Sequence, residues 1–125
     1  MDGEFVIHTV IIPQWHPATV NKLLSNRWAA HKLKKSDKQI ISHYFGAIPK
    51  ADGKRSLQLE IILQRGKRGA DPDAYFKSLC DGLVNAGMLT DDNRQGVELL
   101  PVEFSRDDIH WGSRITLTDE AKNVT

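Results

Sequence analysis

The acidic residues between positions 71 and 92 are the part of this sequence best suited to chemistry. Asp71 and Asp73 flank a proline, Asp81 lies further along, and Asp91 and Asp92 close the stretch. Carboxylates held close together repel one another unless a positive group lies between them. Mg²⁺ prefers such oxygen ligands, and two or three carboxylates from different segments suffice to hold it. The spacing therefore predicts a divalent-metal site.

Cations frame these carboxylates on the preceding side. Arg65, Lys67 and Arg68 form a basic loop that ends just before Asp71. A metal next to cations suits a phosphate-bearing substrate, because the ion can polarise the phosphate and lower the pKa of an attacking water. Lys77, about one helical turn after Asp73, could balance the carboxylates or contact the phosphate.

Each acidic residue also has an interpretation without a ligand. Asp73 has the position and type of a helix N-cap. Asp73–Lys77 and Lys77–Asp81 have the spacing of surface ion pairs, worth only ~0.3–0.5 kcal/mol each. Asp91-Asp92-Asn93 is also typical of a turn. Asp71 is harder to explain this way, because a third carboxylate at one helix end has no evident structural use.

Charge is divided unevenly along the chain. Residues 22–68 hold 12 Lys and Arg against 3 Asp and Glu, a net +9, whereas residues 69–125 carry a net −6. A basic half that neutralises phosphates beside an acidic half that binds an ion would suit a nucleic-acid enzyme. Two oppositely charged surfaces without any ligand remain the alternative.

A second group of basic residues is the other candidate for DNA contact. Its members are Arg27, Lys32, Lys34, Lys35 and Lys38. The alternative is an ordinary solvated helix start. Trp28, within this group, is the best placed of the three tryptophans to stack on an unpaired base. A tryptophan that anchors the core or a dimer contact is nevertheless the favoured interpretation.

The periodicity of apolar residues predicts the elements that position these groups. The predicted order is strand, helix, strand, helix, strand, strand, at about residues 5–12, 36–46, 57–64, 74–86, 97–104 and 113–118. Ser36 would begin the first helix through a capping box with Gln39. Asp73 would be the N-cap of the second helix, whose apolar stripe contains Phe76, Leu79, Cys80 and Leu83.

This order predicts an α/β (α+β) fold. We expect a single small domain over residues 1–125, in which two main helices pack on a mixed β-sheet of about four strands. Residues 119–125 are expected to form a frayed polar tail.

The sequence also carries expectations about location. No apolar run approaches the ~20 residues that span a bilayer, and the first residues lack the features of a signal peptide. Cys80 is the only cysteine. A cytoplasmic protein without membrane contact is expected.

The central part of the chain resembles the RusA-like Holliday junction resolvases. The family pattern runs Asp-x-Asp-Asn, Lys, Asp-x-Leu, a Gly-containing turn and Asp-Asp. Its counterparts here are Asp71-Pro72-Asp73-Ala74, Lys77, Asp81-Gly82-Leu83, Ala86-Gly87 and Asp91-Asp92, preceded by the basic loop. The spacing agrees over 22 residues. Earlier in the chain, His16-Pro17 and Asn21 match the family only loosely.

The resemblance implies an Mg²⁺-dependent endodeoxyribonuclease, with Mn²⁺ as a substitute. It would act as a homodimer on four-way DNA junctions in recombination and repair, through paired symmetric nicks. Asp71, Asp73 and Asp92 would be the metal ligands, with Asp91 as an additional candidate, and Lys77 would contact the phosphate or act in catalysis. The protein would be associated with the nucleoid, and a viral origin is an alternative to a cellular one.

One position departs from the family pattern. Ala74 stands where the family has Asn, and alanine cannot hydrogen-bond a metal-bound water or a neighbouring carboxylate. A member of the family that binds junctions without cutting them is therefore the alternative function.

Overall fold

A computed structural model of the protein describes residues 6–25 and 27–120, with the backbone alone at 23–25. In chain order the elements are β1 (Ile7–Pro13), α1 (Val20–Ser25), α2 (Arg27–Tyr44), β2 (Arg55–Leu63), a 3-10 helix (Pro72–Tyr75), α3 (Phe76–Asn85), β3 (Val97–Leu99), β4 (Glu103–Arg106) and β5 (Gly112–Asp119). The small mixed α/β domain with two main helices is confirmed. The sheet has five strands, however, instead of about four.

β2 is the central strand of the sheet. On one side it pairs antiparallel with β5, which in turn pairs with β1. On the other side it pairs parallel with β3 through residues 55–57 and with β4 through residues 60–63. The single strand predicted over residues 97–104 is therefore wrong. Pro101 has no N–H for the ladder, and Gln58 Nε2 instead donates a 2.8 Å hydrogen bond to the Pro101 carbonyl.

The core lies between β2, β5 and the two longer helices. Leu57, Leu59 and Ile61 alternate along β2 and are fully buried, as the period of two predicted. The predicted stripe of α3 is also confirmed, because Leu79 and Leu83 belong to the same buried cluster. The strongest periodic segments thus lie where the sequence placed them.

β1 differs from its prediction as a buried strand. It lies at the edge of the sheet, where Val10 and Ile12 are buried but Ile7 and Ile11 are exposed. Only one face of this strand contacts the core, so its apolar run does not mean burial on both faces. Phe5 of the predicted strand lies outside the described residues.

α2 begins nine residues before the predicted start, at Arg27 instead of Ser36. Ser36 lies in the middle of the helix, so the capping-box interpretation is wrong. The segment from Arg27 to Lys35 consists largely of good helix formers such as Ala29, Ala30 and Leu33, and the local Ser-x-x-Gln pattern does not interrupt them.

The approach to α3 is also different from the prediction. Pro72–Tyr75 form a 3-10 helix, and α3 begins only at Phe76. Asp73 lies within the 3-10 helix, so its predicted role as the N-cap is wrong. Asp71 occupies the N-cap position of the 3-10 helix but makes no side-chain capping hydrogen bond.

The predicted frayed tail starts too early. Asp119 belongs to β5, and its carboxylate accepts a 2.6 Å hydrogen bond from Nε of Arg55, which is only 2% exposed. Burial by itself raises the pKa of Asp119, but the hydrogen bonds and charges of Arg55 and His8 outweigh it and lower the pKa below its usual value. Residues 121–125 of the tail lie outside the described residues.

Candidate functional site

An open acidic cleft of about 340 Å³ lies beside the second half of α3. Its lining consists of Lys38, Asp81, Val84, Asn85, Asp91 and Asp92. Asp81 and Asn85 are one turn apart on α3, and the turn after the helix brings Asp91 and Asp92 back beside them. The sequence placed the last two near the helix, and the structure brings them to Asp81, which was not among the predicted ligands.

The turn that carries Asp91 and Asp92 is held by its own hydrogen bonds. The Asp91 carboxylate accepts the backbone N–H of Asp92 at 2.7 Å and the amide of Asn93 at 3.1 Å. Gly96 lies so close that a Cβ there would come within 2.5 Å of the Asp91 backbone. Asp91 therefore serves the turn, which leaves Asp92 the better placed of the two to bind a ligand.

Asp92 and Asp81 also influence the buried thiol of Cys80. Burial, followed by the charges of Asp92 and Asp81, raises the pKa of Cys80 to about 12. The thiol is therefore protonated at neutral pH and is unsuited to nucleophilic chemistry. Its raised pKa also reflects the negative potential around the acidic cleft.

Asp71 and Asp73 are exposed and lie on the approach to α3. Asp73 lines a different pocket, with Phe76 and the segment Leu99–Val102. Among residues 6–25 and 27–120, no three His, Cys, Asp or Glu side chains lie close enough together to hold a metal ion. The predicted set of Asp71, Asp73 and Asp92 suits Mg²⁺ in donor chemistry, but this arrangement of side chains does not bring the three together.

Lys77 lies on the exposed surface of α3. Its Nζ is 4.0 Å from Asp81, and its side chain is 58% exposed. Of the two i,i+4 pairs considered from the sequence, Lys77–Asp81 is thus present. Such an exposed pair contributes little to stability, so Lys77 is held only loosely and can reach a ligand.

Lys38 has surroundings other than those expected of a DNA-contacting residue. It is half-buried in the acidic cleft with three carboxylates. A lysine in this position relieves the same repulsion for which the sequence suggested a divalent cation. The other members of its basic group, Arg27, Lys32, Lys34 and Lys35, lie nearer the start of α2 at exposed or half-buried positions.

The basic loop after β2 is tied to the β4–β5 segment. Nη1 of Arg106 donates hydrogen bonds to the carbonyls of Gln64 and Lys67, at 3.1 and 2.8 Å. The backbone N–H of Arg65 donates to Asp108. These contacts fix the backbone of the loop, while the side chains of Arg65, Lys67 and Arg68 remain exposed.

Sequence reasoning missed a buried carboxylate next to this loop. Asp37 is 4% exposed and accepts three hydrogen bonds, from Trp15 Nε1 at 3.0 Å, the Ala18 N–H at 2.9 Å and Ser78 Oγ at 2.7 Å. The sequence offered no local signal for it, because all three donors come from other segments. Asp37 ties the segment 15–18 and α3 to the middle of α2.

Trp28 does not have the position in the core that was one of its two favoured interpretations. Trp28 is 75% exposed on α2, so it does not anchor the core. Trp15 and Trp111 are half-buried and line a second cavity, of about 440 Å³, beside Asp37. Trp15 and Trp111 are therefore the tryptophans that line this cavity.

No protein-family model matches the chain, and no curated protein matches it significantly. In the part of the chain that the structure describes, no helix is long and apolar enough to cross a membrane.

Proposed function

We propose that this protein is an Mg²⁺-dependent endonuclease that resolves four-way DNA junctions as a homodimer. The observation that carries the proposal is the run of acidic residues and Lys77 at the spacing of the resolvase pattern, which directly follows the basic loop. Their side chains are exposed or only half-buried, so they are available to a substrate. This combination resembles the residue pattern of the RusA-like family.

The two kinds of charge have separate tasks in this proposal. Arg65, Lys67 and Arg68 of the loop and the cations at the start of α2 would neutralise DNA phosphates. Asp71, Asp73 and Asp92 would hold the metal, for which their exposed side chains must turn toward one another. The ion, when bound, would neutralise charge on the phosphate and lower the pKa of the attacking water.

Lys77 would act at the phosphate in this arrangement. Its ammonium group is loosely paired with Asp81 at 4.0 Å, and its flexible side chain can leave that partner at small cost. A positive group close to the scissile phosphate stabilises the negative charge of the transition state. The lysine thus complements the metal without belonging to its ligands.

A homodimer suits a junction as substrate. A four-way junction offers two equivalent strands, and a two-fold dimer offers two equivalent sites. Selection of the junction would then depend on the positions of its phosphates more than on the edges of its bases.

The test is cleavage of a synthetic four-way junction in Mg²⁺, with EDTA in a parallel sample. We expect paired nicks that EDTA abolishes and that Asp73→Asn reduces at least 100-fold. Glu98→Gln is the matched control, because it makes the same carboxylate-to-amide change at an exposed position on β3. Equal activity of Asp73→Asn and the control would contradict the proposal.

A protein of the same fold that binds branched DNA without cutting it is the second candidate. Ala74, in place of the family's asparagine, favours it. Tight binding of the junction without nicks in either Mg²⁺ or Mn²⁺ would support this candidate. Appearance of nicking in Ala74→Asn would then assign the loss of activity to this one residue.

A further inference from the structure

The cavity beside Asp37 combines fixed aromatic rings with cations. Its lining comes from residues 15–19, Lys22 of α1, the middle of α2, the segment 63–70 that contains the basic loop, Tyr75 and Trp111. At about 440 Å³ it falls within the range of small-molecule sites in proteins. We call it the aromatic cavity.

Hydrogen bonds of Trp15 and His16, and a ring contact between His16 and Trp111, hold the aromatic side of the cavity in place. Trp15 Nε1 donates to buried Asp37, and the Trp15 carbonyl accepts a 2.8 Å hydrogen bond from Ser113. His16 Nε2 is 3.0 Å from the carbonyl of Ile62, and its ring meets Trp111 edge-on, with 5.4 Å between centroids. Rings that are already fixed lose little conformational entropy when a flat ligand binds.

The cationic side consists of Lys22, Lys67 and Arg68. The one carboxylate in the lining, Asp37, is turned to its three donors and is almost inaccessible. The accessible charge in the cavity is therefore positive, and Arg106 fixes the backbone of the loop that supplies part of it. A ligand for this cavity should have a flat ring system and an anionic group.

The cavity also borders the acidic residues of the proposed site. Ala70, in its lining, directly precedes Asp71, and the Ala70 N–H donates a 2.8 Å hydrogen bond to the hydroxyl of Tyr75. Tyr75 is buried and ends the 3-10 helix that carries Asp73. A ligand in the cavity would therefore contact the segment that positions Asp71 and Asp73.

We propose that the aromatic cavity receives one unpaired nucleotide of the DNA, with its base against Trp111 and Trp15 and its phosphate on Lys67 and Arg68. This proposal rests on the proposed function, because it assumes a DNA substrate. Enzymes that act on a DNA base bind it as an extruded nucleotide in a pocket of this kind, and aromatic side chains stack on any base. Bases next to the branch point of a junction are the easiest to extrude.

The test measures the binding of DNA in EDTA, so that the result does not depend on cleavage. The fluorescence anisotropy of a labelled four-way junction is compared for the wild type, Trp111→Leu and Trp111→Phe. We expect Trp111→Leu to weaken binding roughly tenfold or more, as for the loss of one stacked base, and Trp111→Phe to retain most of the affinity. Tyr44→Ala is the matched control, because Tyr44 is an exposed aromatic residue that does not line the cavity.

A second variant guards against a folding defect in the tryptophan variants. Lys67 is exposed, so Lys67→Gln should leave the fold intact and weaken binding of the same junction. The wild type should bind a junction with an abasic site at the branch point less tightly than the intact junction. Trp111→Leu should bind the two junctions equally well. Wild-type affinity of both Trp111→Leu and Lys67→Gln for the junction would overturn the proposal.

Titration with a deoxynucleoside 5′-monophosphate distinguishes DNA from a free nucleotide. Binding of the monophosphate that needs Trp111, together with junction binding that does not, would assign the cavity to a small ligand and overturn the proposal. Trp111-dependent binding of a junction that is never nicked would support the cavity and contradict the nuclease function. If Trp111→Leu and Lys67→Gln both nick the junction and bind it with wild-type affinity, the result would support the nuclease function and contradict the proposal for the cavity.

Discussion

Asp37 and Lys38 are neighbours in α2, and each faces surroundings of the opposite charge. Asp37 lies under the aromatic cavity with its cations, and Lys38 lies in the acidic cleft with Asp81, Asp91 and Asp92. The two differ in how firmly they are held. Asp37 is buried with three donors, whereas Lys38 is half-buried in an open cleft. One turn of α2 thus supplies a carboxylate fixed by hydrogen bonds beside the aromatic cavity and a solvent-accessible ammonium group in the acidic cleft.

The largest expected effect is that of replacing Asp37. Asp37→Asn keeps the size of the side chain but cannot accept the three donors as a carboxylate does. We expect the free energy of unfolding to fall by about 3 kcal/mol. Urea denaturation measures the change, and Lys38→Gln, expected to cost about 1 kcal/mol or less because its cleft is open to solvent, is the comparison. Similar losses of unfolding free energy in the two variants would show that Asp37 is held no more firmly than Lys38.

The contact between α2 and α3 keeps the two sites aligned and is the next target. A Cβ on Gly82 would lie 2.4 Å from Cδ1 of Ile41, which is fully buried. Gly82→Ala should therefore destabilise the protein by about 1–2 kcal/mol, despite the better helix propensity of alanine. Ile41→Val removes the clashing methyl group, so the double variant should lose less stability than the sum of the single variants. If the losses of the two single variants simply add in the double variant, the alanine at position 82 does not clash with Ile41, and α2 and α3 move apart to accommodate it.

Lys38 is expected to oppose the binding of a divalent ion at Asp92, the one proposed metal ligand that lines the acidic cleft. Lys38→Gln removes a positive charge next to three carboxylates and should tighten the binding of Mg²⁺ to the DNA-free protein roughly fivefold. Isothermal titration calorimetry measures the affinity. Lys35→Gln, one turn earlier at an exposed position, is the control for charge alone. Unchanged or weaker binding of Mg²⁺ in Lys38→Gln would show that the charge of Lys38 does not oppose an ion at Asp92.

The smallest effect concerns the cations at the start of α2. Lys32, Lys34 and Lys35 lie outside both sites, and each that contacts a phosphate should reduce the salt slope of DNA binding by about one when it is replaced by alanine. Lys38→Ala should leave the slope unchanged, because carboxylates already surround that side chain. An unchanged slope in the triple variant would exclude the three lysines from the DNA contact.

The elements that the sequence predicted correctly are those whose periodicity reflects burial. Leu57, Leu59 and Ile61 on β2 and the stripe of Leu79 and Leu83 on α3 belong here. These segments pack against the core along their whole length, so the local pattern of apolar residues is enough to predict the element and its buried face.

The errors have different causes. The cap predicted at Ser36 is wrong because the helix formers before it, such as Ala29, Ala30 and Leu33, extend α2 back to Arg27. The strand predicted over residues 97–104 divides at Pro101, where the alternative partner is the side chain of Gln58.

The candidate site was predicted in part. Its acidic residues and basic loop follow one another in the sequence, and their exposure agrees with their type. The aromatic cavity could not be predicted, because Trp15, Lys67 and Trp111 come from segments that only the sheet brings together.

The burial of Arg55 has a consequence for how the chain folds. Its guanidinium group donates to the carbonyls of Pro49 and Met88 and to the Asp119 carboxylate, which are 6, 33 and 64 residues away in sequence. A partly folded chain that buried β2 without one of these partners would leave a charged donor unsatisfied in the interior. Folding intermediates of that kind are therefore unfavourable, and the chain is expected to fold in a single cooperative step.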